Sequence, residues 1–299
     1  MFKEEIRRNN MRLIANKKTI AILIFSLIFI LFFVGCTTFS EEVYRVEETF
    51  SSIEIDDVES GIMISPSYDG RCRVLIDERS NGSVYHTVEV EHGVLKINRH
   101  TKGVSWLFGE SLGELLVEVQ LPKKEYSSLS ASSVSGRIIV ENGLSFDKVD
   151  LNSTSGSVTF SAVAKDEITA YSTSGSVNIS TNSVLYSVDA RSTSGRVYLS
   201  DIKARKVYAK SNSGSVVLNN VIALDNLSLY STSGSIRLDH CDGGDIYIES
   251  SSGSVKGTLL SDKYFRARSN TGRVDVPYSY GVNICDVKTT SGSIVLSII

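Results

Sequence analysis

The stretch Tyr171–Ser180, YSTSGSVNIS, decides the fold of this 299-residue chain, because nine versions of its Ser-x-Ser-Gly core recur along the sequence. Each core is followed by Ser or Arg and then Val or Ile, and Thr replaces one Ser in the last two copies. Successive glycines lie 19 or 20 residues apart with no insertion. A repeat this regular is typical of a stacked one-dimensional array. The shared glycines are Gly136, Gly156, Gly175, Gly195, Gly214, Gly234, Gly253, Gly272 and Gly292.

Each repeat predicts two short strands separated by a corner. Apolar residues alternate with polar ones before the glycine, as at Val188 and Ala190, and again after it, as at Val197 and Leu199. The alternation changes parity across the Ser-Gly pair, so a flat strand would expose one of the two apolar sets. We therefore expect the chain to turn at the glycine, which would supply the backbone freedom that a corner needs.

Two strands and two bends in about 19.5 residues make one coil of a parallel β-solenoid, so the predicted fold class is all-β. Coils that stack at ~4.8 Å would give the nine repeats a length of about 40 Å. The repeats lack the 3.6-residue period that a helical array would show.

The repeated serines have a structural and a chemical interpretation. Inward serines at one coil position would form a column and could hydrogen-bond to neighbouring coils or to the turn backbone. A nucleophilic serine would need a histidine base and an acid within reach. Since a motif present nine times cannot form nine active sites, we predict a structural ladder and no catalytic residues.

Residues 1–35 predict a secretory signal of the lipoprotein type. Basic residues precede the apolar run Thr19–Val34, and Gly35 comes directly before Cys36. This junction resembles the lipobox of bacterial lipoproteins, with Phe33 where leucine is usual. The resemblance implies cleavage before Cys36 and lipid attachment to it. An uncleaved transmembrane anchor is the alternative, although the run is short for spanning a bilayer.

The rest of the chain divides into three predicted parts. Residues 36–48 form a linker, residues 49–125 form irregular β coils, and residues 126–299 form the regular solenoid. Within the irregular part, alternating apolar residues flank Ser60 and Gly61 and indicate a worn copy of the repeat.

An aromatic loop at residues 101–113 interrupts the strand pattern. It contains Trp106, Leu107 and Phe108, and Trp106 is the single tryptophan of the chain. We interpret this loop either as a candidate binding loop or as a plug over the open end of the solenoid, because terminal coils of solenoids need to be covered.

The final repeat runs to Ile299 without a capping segment. An apolar terminal coil would leave an edge open to pairing. This C-terminal edge could dock a partner, self-associate with a second copy, or be covered by loops.

Composition and spacing disfavour several classes of site. A net charge of -3 with interspersed signs predicts no surface for nucleic acid. The body cysteines Cys72, Cys241 and Cys285 are far apart and lack metal-ligand spacing. The acidic turn at 242–245 occurs once, whereas calcium-binding solenoid repeats stack such aspartates in successive coils. We expect no metal and no cofactor.

The repeated motif, the Leu121-Pro122 junction and the strand Gly93–Ile97 resemble the putative-adhesin family of bacterial surface proteins, also described as toast-rack DUF4097 β-solenoids. The resemblance covers roughly residues 50–299. It implies a right-handed, single-chain parallel β-helix.

Three functions are compatible with the sequence. The first is a lipid-anchored envelope protein, facing the periplasm or exterior, that binds a surface glycan or protein ligand or acts as a scaffold without catalysis. The second is an envelope-stress or assembly component that docks a membrane partner. The third, a polysaccharide-active β-helix enzyme, is disfavoured because the coils lack long loops and a column of carboxylates. Asn and Ser interrupt an outward threonine column, which disfavours ice binding.

Overall fold

The repeats fold into a stack of short parallel strands. A computed structural model describes residues 39–79, 84–102 and 115–299, and these residues contain 22 strands and no helix. No helix of this part of the chain is therefore long and apolar enough to cross a membrane. The predicted fold class, an all-β parallel solenoid, is confirmed. The strands are β1 Phe39–Val46, β2 Ser52–Asp56, β3 Gly61–Pro66, β4 Cys72–Arg79, β5 Val84–Glu91, β6 Val94–Thr101, β7 Leu116–Leu121, β8 Glu125–Ser133, β9 Ile138–Val140, β10 Ser145–Ser153, β11 Val158–Phe160, β12 Val163–Ser172, β13 Val177–Ser180, β14 Val184–Ser192, β15 Val197–Ser211, β16 Val216–Ser231, β17 Ile236–Ser250, β18 Val255–Leu259, β19 Tyr264–Ser269, β20 Val274–Asp275, β21 Ile284–Thr289 and β22 Ile294–Ile298.

Each complete coil has three sides, which stack in register on the same sides of the neighbouring coils. Row A precedes the corner glycine, row B follows it, and a short row C lies between row B and the next row A. Strand β15 passes through all three rows without a break: row B at 197–200, row C at 202–204 and row A at 206–211. All three rows pair in parallel with β16. Inward residues such as Ala204 and Ala209 are fully buried. The sequence predicted two strands per coil, so row C is an addition to that prediction.

A second corner, between rows B and C, uses left-handed residues. Asp201, Asn220 and His240 have φ angles of 55°, 52° and 51° in three consecutive coils. Asn and Asp tolerate this conformation better than most residues, because their short polar side chains can hydrogen-bond locally. Asn220 Nδ2 donates to Asp201 Oδ1 at 2.8 Å, so the second corner is also linked from coil to coil.

The corner glycines are required by close packing between coils. Positive φ angles among the described glycines occur only at Gly70, Gly93 and Gly143, none of which is a repeat glycine. A Cβ on Gly195 would lie 2.1 Å from the carbonyl oxygen of Gly175, and the corresponding distance is 1.7 to 2.1 Å at all nine repeat glycines. Glycine was expected at the corner for its backbone freedom, and this reason is wrong. Glycine is needed because there is no space for a side chain.

The corner serines form the predicted ladder. Ser192 Oγ accepts a hydrogen bond from the Gly195 N–H at 2.9 Å and donates one to the Gly175 carbonyl at 2.9 Å in the neighbouring coil. The same pair of bonds recurs at Ser153, Ser172 and other copies. Each hydroxyl thus satisfies its own corner and fastens it to the next coil.

At the N-terminal end, the coils stack out of sequence order. Strand β2 pairs in parallel with both β6 and β8, and β3 pairs in parallel with both β7 and β9. The coil of β2 and β3 therefore lies between the later coil of β6 and β7 and the first regular repeat. Antiparallel β5 and β4 extend rows A and B beyond β6 and β7.

The worn repeat is present in this inserted coil, but its corner lies one residue earlier than predicted. A Cβ on Gly136 would meet the Ser60 carbonyl oxygen at 1.7 Å, so Ser60 occupies the glycine position. Asp57 takes the place of the ladder serine, and its Oδ1 accepts the Ser60 N–H at 2.7 Å.

At the C-terminal end, the ninth repeat is inserted between the seventh and the eighth. Strand β21 pairs with β17 on one side and β19 on the other, and β22 likewise pairs with β18 and β20. The expectation that the last repeat forms the open edge was therefore wrong. The edge is formed by β19 and β20 of the eighth repeat.

Several predictions concern residues outside the described part of the chain. Cys36 and the signal at 1–35 lie there, as do Trp106, Leu107 and Phe108 of the aromatic loop. Lipid attachment and the role of the loop stay predictions.

Candidate functional site

The C-terminal end of the solenoid leaves its core partly uncovered. Strand β19 pairs with β21 on one side, and among the described residues no strand pairs with its other side. Phe265 and Ala267 point into the solenoid but are only partly buried, whereas Ile246 and Cys285 at equivalent positions are fully buried. The end of row A therefore exposes both backbone groups and apolar side chains.

An exposed tyrosine segment lies beside this edge. Residues 276–283 lead from β20 back to β21, and Tyr278, Tyr280 and Val282 are 89%, 83% and 95% exposed. The two tyrosine rings meet edge to face at 5.2 Å, and Tyr280 Oη donates to Tyr278 Oη at 3.0 Å. A Cβ on Gly281 would lie 2.3 Å from the Asp262 carbonyl oxygen, so the segment packs against the turn that leads into β19. We call β19, β20 and residues 276–283 the C-terminal face.

The C-terminal face is also cationic. Arg266 and Arg268 project from β19, and neither forms an ion pair with a described carboxylate. The Arg266 guanidinium lies 5.5 Å from the centre of the Tyr264 ring. Arg273 is paired with Asp275 at 2.5 Å. Exposed aromatic rings and guanidinium groups are typical of surfaces that bind other molecules.

A cleft of about 500 Å³ at the N-terminal end is a second candidate. Its cationic residues are Arg45, Arg71, Arg73 and Lys124. Lys124 Nζ donates to the Phe50 carbonyl at 2.6 Å, and Arg73 is paired with the neighbouring Asp69. Two of the four cations therefore already hold local structure, and Glu47 and Glu48 on the same cleft oppose an anionic ligand. We regard the C-terminal face as the stronger candidate.

A buried His–Asp pair closes the N-terminal end of the serine ladder. His86 Nε2 lies 2.8 Å from Asp57 Oδ2, and the two side chains are 0% and 1% exposed. Burial raises the pKa of Asp57, but the hydrogen bonds from His86 and the Ser60 N–H outweigh burial and the net pKa is lowered. The nearby Ser60 Oγ is buried and has no hydrogen-bond partner among the described residues. Both side chains of the pair are buried, so a substrate cannot reach them. Their hydrogen bond fastens β5 to the first corner.

The acidic turn at 242–245 contacts both the eighth repeat and the inserted ninth repeat. Asp242 Oδ1 accepts Lys263 Nζ at 2.8 Å, and Asp245 Oδ1 accepts the Ile284 N–H at 3.0 Å. Both carboxylates thus have structural partners. The described residues contain no group of three or more metal-ligating side chains.

The fold and the open end define the protein as a repeat-built parallel β-solenoid with an aromatic, cationic terminal face. The family model described as Toastrack DUF4097 matches residues 50–200 and 182–299, and the chain belongs to that family. The resemblance stated from the sequence is confirmed. A comparison with curated proteins gives no match.

Solved structures match at low sequence identity, and the one with a TM-score above 0.5 shares the fold. A putative adhesin from Parabacteroides distasonis is 14% identical with a TM-score of 0.54, covering 87% of this chain and 98% of that one. A putative adhesin from Bacteroides fragilis is 16% identical with a TM-score of 0.48, covering 88% and 97%. A structure from Parabacteroides distasonis described as a putative lipid binding protein is 17% identical with a TM-score of 0.42, covering 86% and 96%.

The structure places the predicted repeat glycines at one corner, where they pack coil on coil. The tyrosine segment was missed, because the spacing between Gly272 and Gly292 is 20 residues, as in intact coils. The sequence did contain a signal that this coil is irregular. Pro277 is followed by two tyrosines and Gly281, in the stretch where other coils have the small apolar residues of row C.

Proposed function

We propose that the protein is a lipid-anchored envelope protein that binds an external glycan or protein through its C-terminal face, without catalysis. The observation that carries the proposal is the difference between the two ends. Each end has an outermost row A strand, β5 or β19, with one side that no described strand pairs, and each has partly buried inward residues. The C-terminal end differs because it adds the exposed, mutually contacting Tyr278 and Tyr280.

The anchor and the solenoid have complementary roles in this proposal. Lipid on Cys36 would hold the N-terminal end near the membrane. The row A ladder from β5 to β19 spans about 50 Å at ~4.8 Å per step. The C-terminal face would then be held away from the bilayer on a rigid spacer. The name of the Parabacteroides distasonis neighbour with the TM-score of 0.54, a putative adhesin, agrees with a surface-binding role.

A non-catalytic role agrees with how the polar groups are used. The repeated serines bond to corner backbone, and the His–Asp pair is closed to solvent. The exposed groups of the C-terminal face are those of a binding surface rather than an acid, a base and a nucleophile in contact.

The proposal is tested by proximity labelling on intact cells, with the labelling enzyme fused after Ile299. The wild type is expected to label a defined set of envelope or external molecules. The variant with Tyr278→Ser and Tyr280→Ser should lose that set. Tyr68→Ser is the matched control, because Tyr68 is fully exposed at the other end of the solenoid. An unchanged set in the double variant would refute binding at the C-terminal face.

The same experiment separates the two binding functions. Recovery of external glycan or matrix molecules supports an adhesin-like role, and recovery of membrane proteins alone supports the assembly or stress-sensing alternative. Cys36→Ala should release the protein from the membrane. If this variant stays as firmly attached as the wild type, lipid anchoring is wrong.

A further inference from the structure

The free side of β19 presents a regular set of backbone groups. The Tyr264 N–H donates to the Asn283 carbonyl of the neighbouring coil at 2.8 Å. Because N–H and C=O groups alternate sides along a strand, the groups of Arg266 and Arg268 also face β21. The N–H and C=O groups of Phe265, Ala267 and Ser269 therefore point away from the solenoid. Within the described residues no strand bonds to this side.

The side chains of β19 favour an acidic occupant on that edge. Arg266 and Arg268 project outward, above Asp286 and Lys288 of the adjacent strand. Asp286 and Lys288 form an ion pair with each other at 3.3 Å, so that layer adds little net charge. Carboxylates on a strand added beside β19 would lie opposite the two arginines, and opposite charges across strands stabilise pairing.

The same charges oppose pairing between two copies of this edge. If two β19 strands paired in antiparallel fashion with their outward faces aligned, arginine would lie opposite arginine. Like charges directly opposite one another destabilise strand pairs, and charged residues on edge strands are a common protection against self-association. A partner with alternating acidic residues is therefore favoured over a second copy.

An added strand would also cover the exposed end of the core. Phe265, Ala267 and Val276 are only partly buried at this end. A strand beside β19 that alternates apolar and acidic residues would place its apolar side chains over Phe265 and Ala267, and its acidic side chains beside the arginines. Backbone hydrogen bonds then provide affinity and the alternate side chains provide specificity.

We propose that β19 binds an extended acidic segment of a partner protein, which adds a strand to the end of row A. This inference rests on the proposed function, since it specifies the ligand chemistry of the C-terminal face.

The test uses the full-length protein in detergent and a short fluorescent peptide that alternates valine with glutamate. A peptide that alternates valine with lysine is the control ligand. Ala267→Pro removes one outward N–H but keeps the bonds to β21, since the Ala267 N–H faces away from that strand. Ala267→Val retains the N–H and is the matched control. Fluorescence anisotropy gives the affinities, and circular dichroism checks that each variant is folded.

We expect the wild type to bind the glutamate peptide and to discriminate against the lysine peptide. Ala267→Pro should weaken binding at least tenfold, while Ala267→Val should change it less than about threefold. Replacing Arg266 and Arg268 by glutamate should reverse the preference between the two peptides.

Three results would overturn the inference. The first is no binding of the glutamate peptide by folded wild type, and the second is equal binding by Ala267→Pro. The third is concentration-dependent dimerisation in sedimentation that Ala267→Pro abolishes, which would assign the edge to a second copy. Loss of cell-surface labelling on removal of the two tyrosines would still support the proposed function in each case, so the two failures are distinguishable.

Discussion

Replacing one corner glycine by alanine should damage the stack locally and strongly. In Gly195→Ala, the new Cβ would lie 2.1 Å from the Gly175 carbonyl oxygen and 2.4 Å from its carbon. Non-bonded contacts of this kind need more than ~3 Å, so the two coils must separate by about 1 Å at this corner. That movement breaks the Ser192 hydroxyl bond at 2.9 Å and weakens the Ser194 N–H bond to Thr173 at 2.9 Å. Hydrogen bonds contribute ~1 kcal/mol each and overpacking adds ~1–3 kcal/mol, so we expect a loss of about 4 kcal/mol.

The assay is urea unfolding of the full-length protein in detergent, followed by circular dichroism. Ser194→Ala is the matched control, since it changes the adjacent exposed hydroxyl and should alter the free energy of unfolding by less than ~0.5 kcal/mol. Repeat arrays can unfold in parts, so hydrogen exchange of the corner amides should accompany the denaturation curves. A loss below about 1 kcal/mol in Gly195→Ala would refute the reasoning, because the corner would then have room for a side chain.

Three further predictions concern the ladder, the buried pair and the thiols. Ser172→Ala leaves a buried corner N–H and carbonyl without their hydroxyl partner and should lower the free energy of unfolding by ~2–3 kcal/mol, measured by urea unfolding. Because the pKa of Asp57 is lowered in the folded state, its carboxylate stabilises the fold at pH values above the ordinary pKa of 3.8, and this stabilisation is lost as the pH falls below that value. The decrease in the free energy of unfolding caused by Asp57→Asn should therefore be largest near neutral pH and shrink below about pH 4. Burial raises the pKa of Cys72, Cys241 and Cys285 to about 12, 11 and 12, so iodoacetamide at pH 8 should modify them, by mass spectrometry, only after unfolding.

The repeat unit could be predicted from the sequence because its constraints are local. Alternation around each glycine defines rows A and B, and the parity change defines the corner. Row C was not predicted, because each coil has only one or two inward residues there, such as Ile202 and Ala204. One or two residues are too few to show the alternation of apolar and polar residues that identifies a strand. The left-handed residues at the second corner had a weak signal, a polar residue six positions after the glycine, because Asn142 and Thr181 hold that position without a positive φ angle.

The order of stacking could not be predicted, because the repeats are nearly equivalent in length and pattern. Any repeat offers the same parallel edge to any other, so spacing along the chain does not specify neighbours in space. Specific contacts such as the hydrogen bond from the Ile284 N–H of the ninth repeat to Asp245 of the seventh distinguish the observed order, and they are visible only once the coils are placed. The C-terminal face depends on that order. The tyrosine segment is exposed because it leads the chain back from the outermost coil to an inner one.

Engineered disulfides test the stacking order most directly. Tyr247 and Asp286 are register partners in adjacent strands, as are Asp286 and Arg266, whereas Tyr247 and Arg266 lie two strands apart. Paired cysteines form disulfides only when their Cα atoms lie within about 7 Å, so adjacent strands at ~4.8 Å can be linked and strands two apart cannot. We predict that cysteines at 247 and 286 link under mild oxidation and that cysteines at 247 and 266 do not. Linkage of 247 to 266 without linkage of 247 to 286 would show sequential stacking, and β19 would then not be the edge of the solenoid.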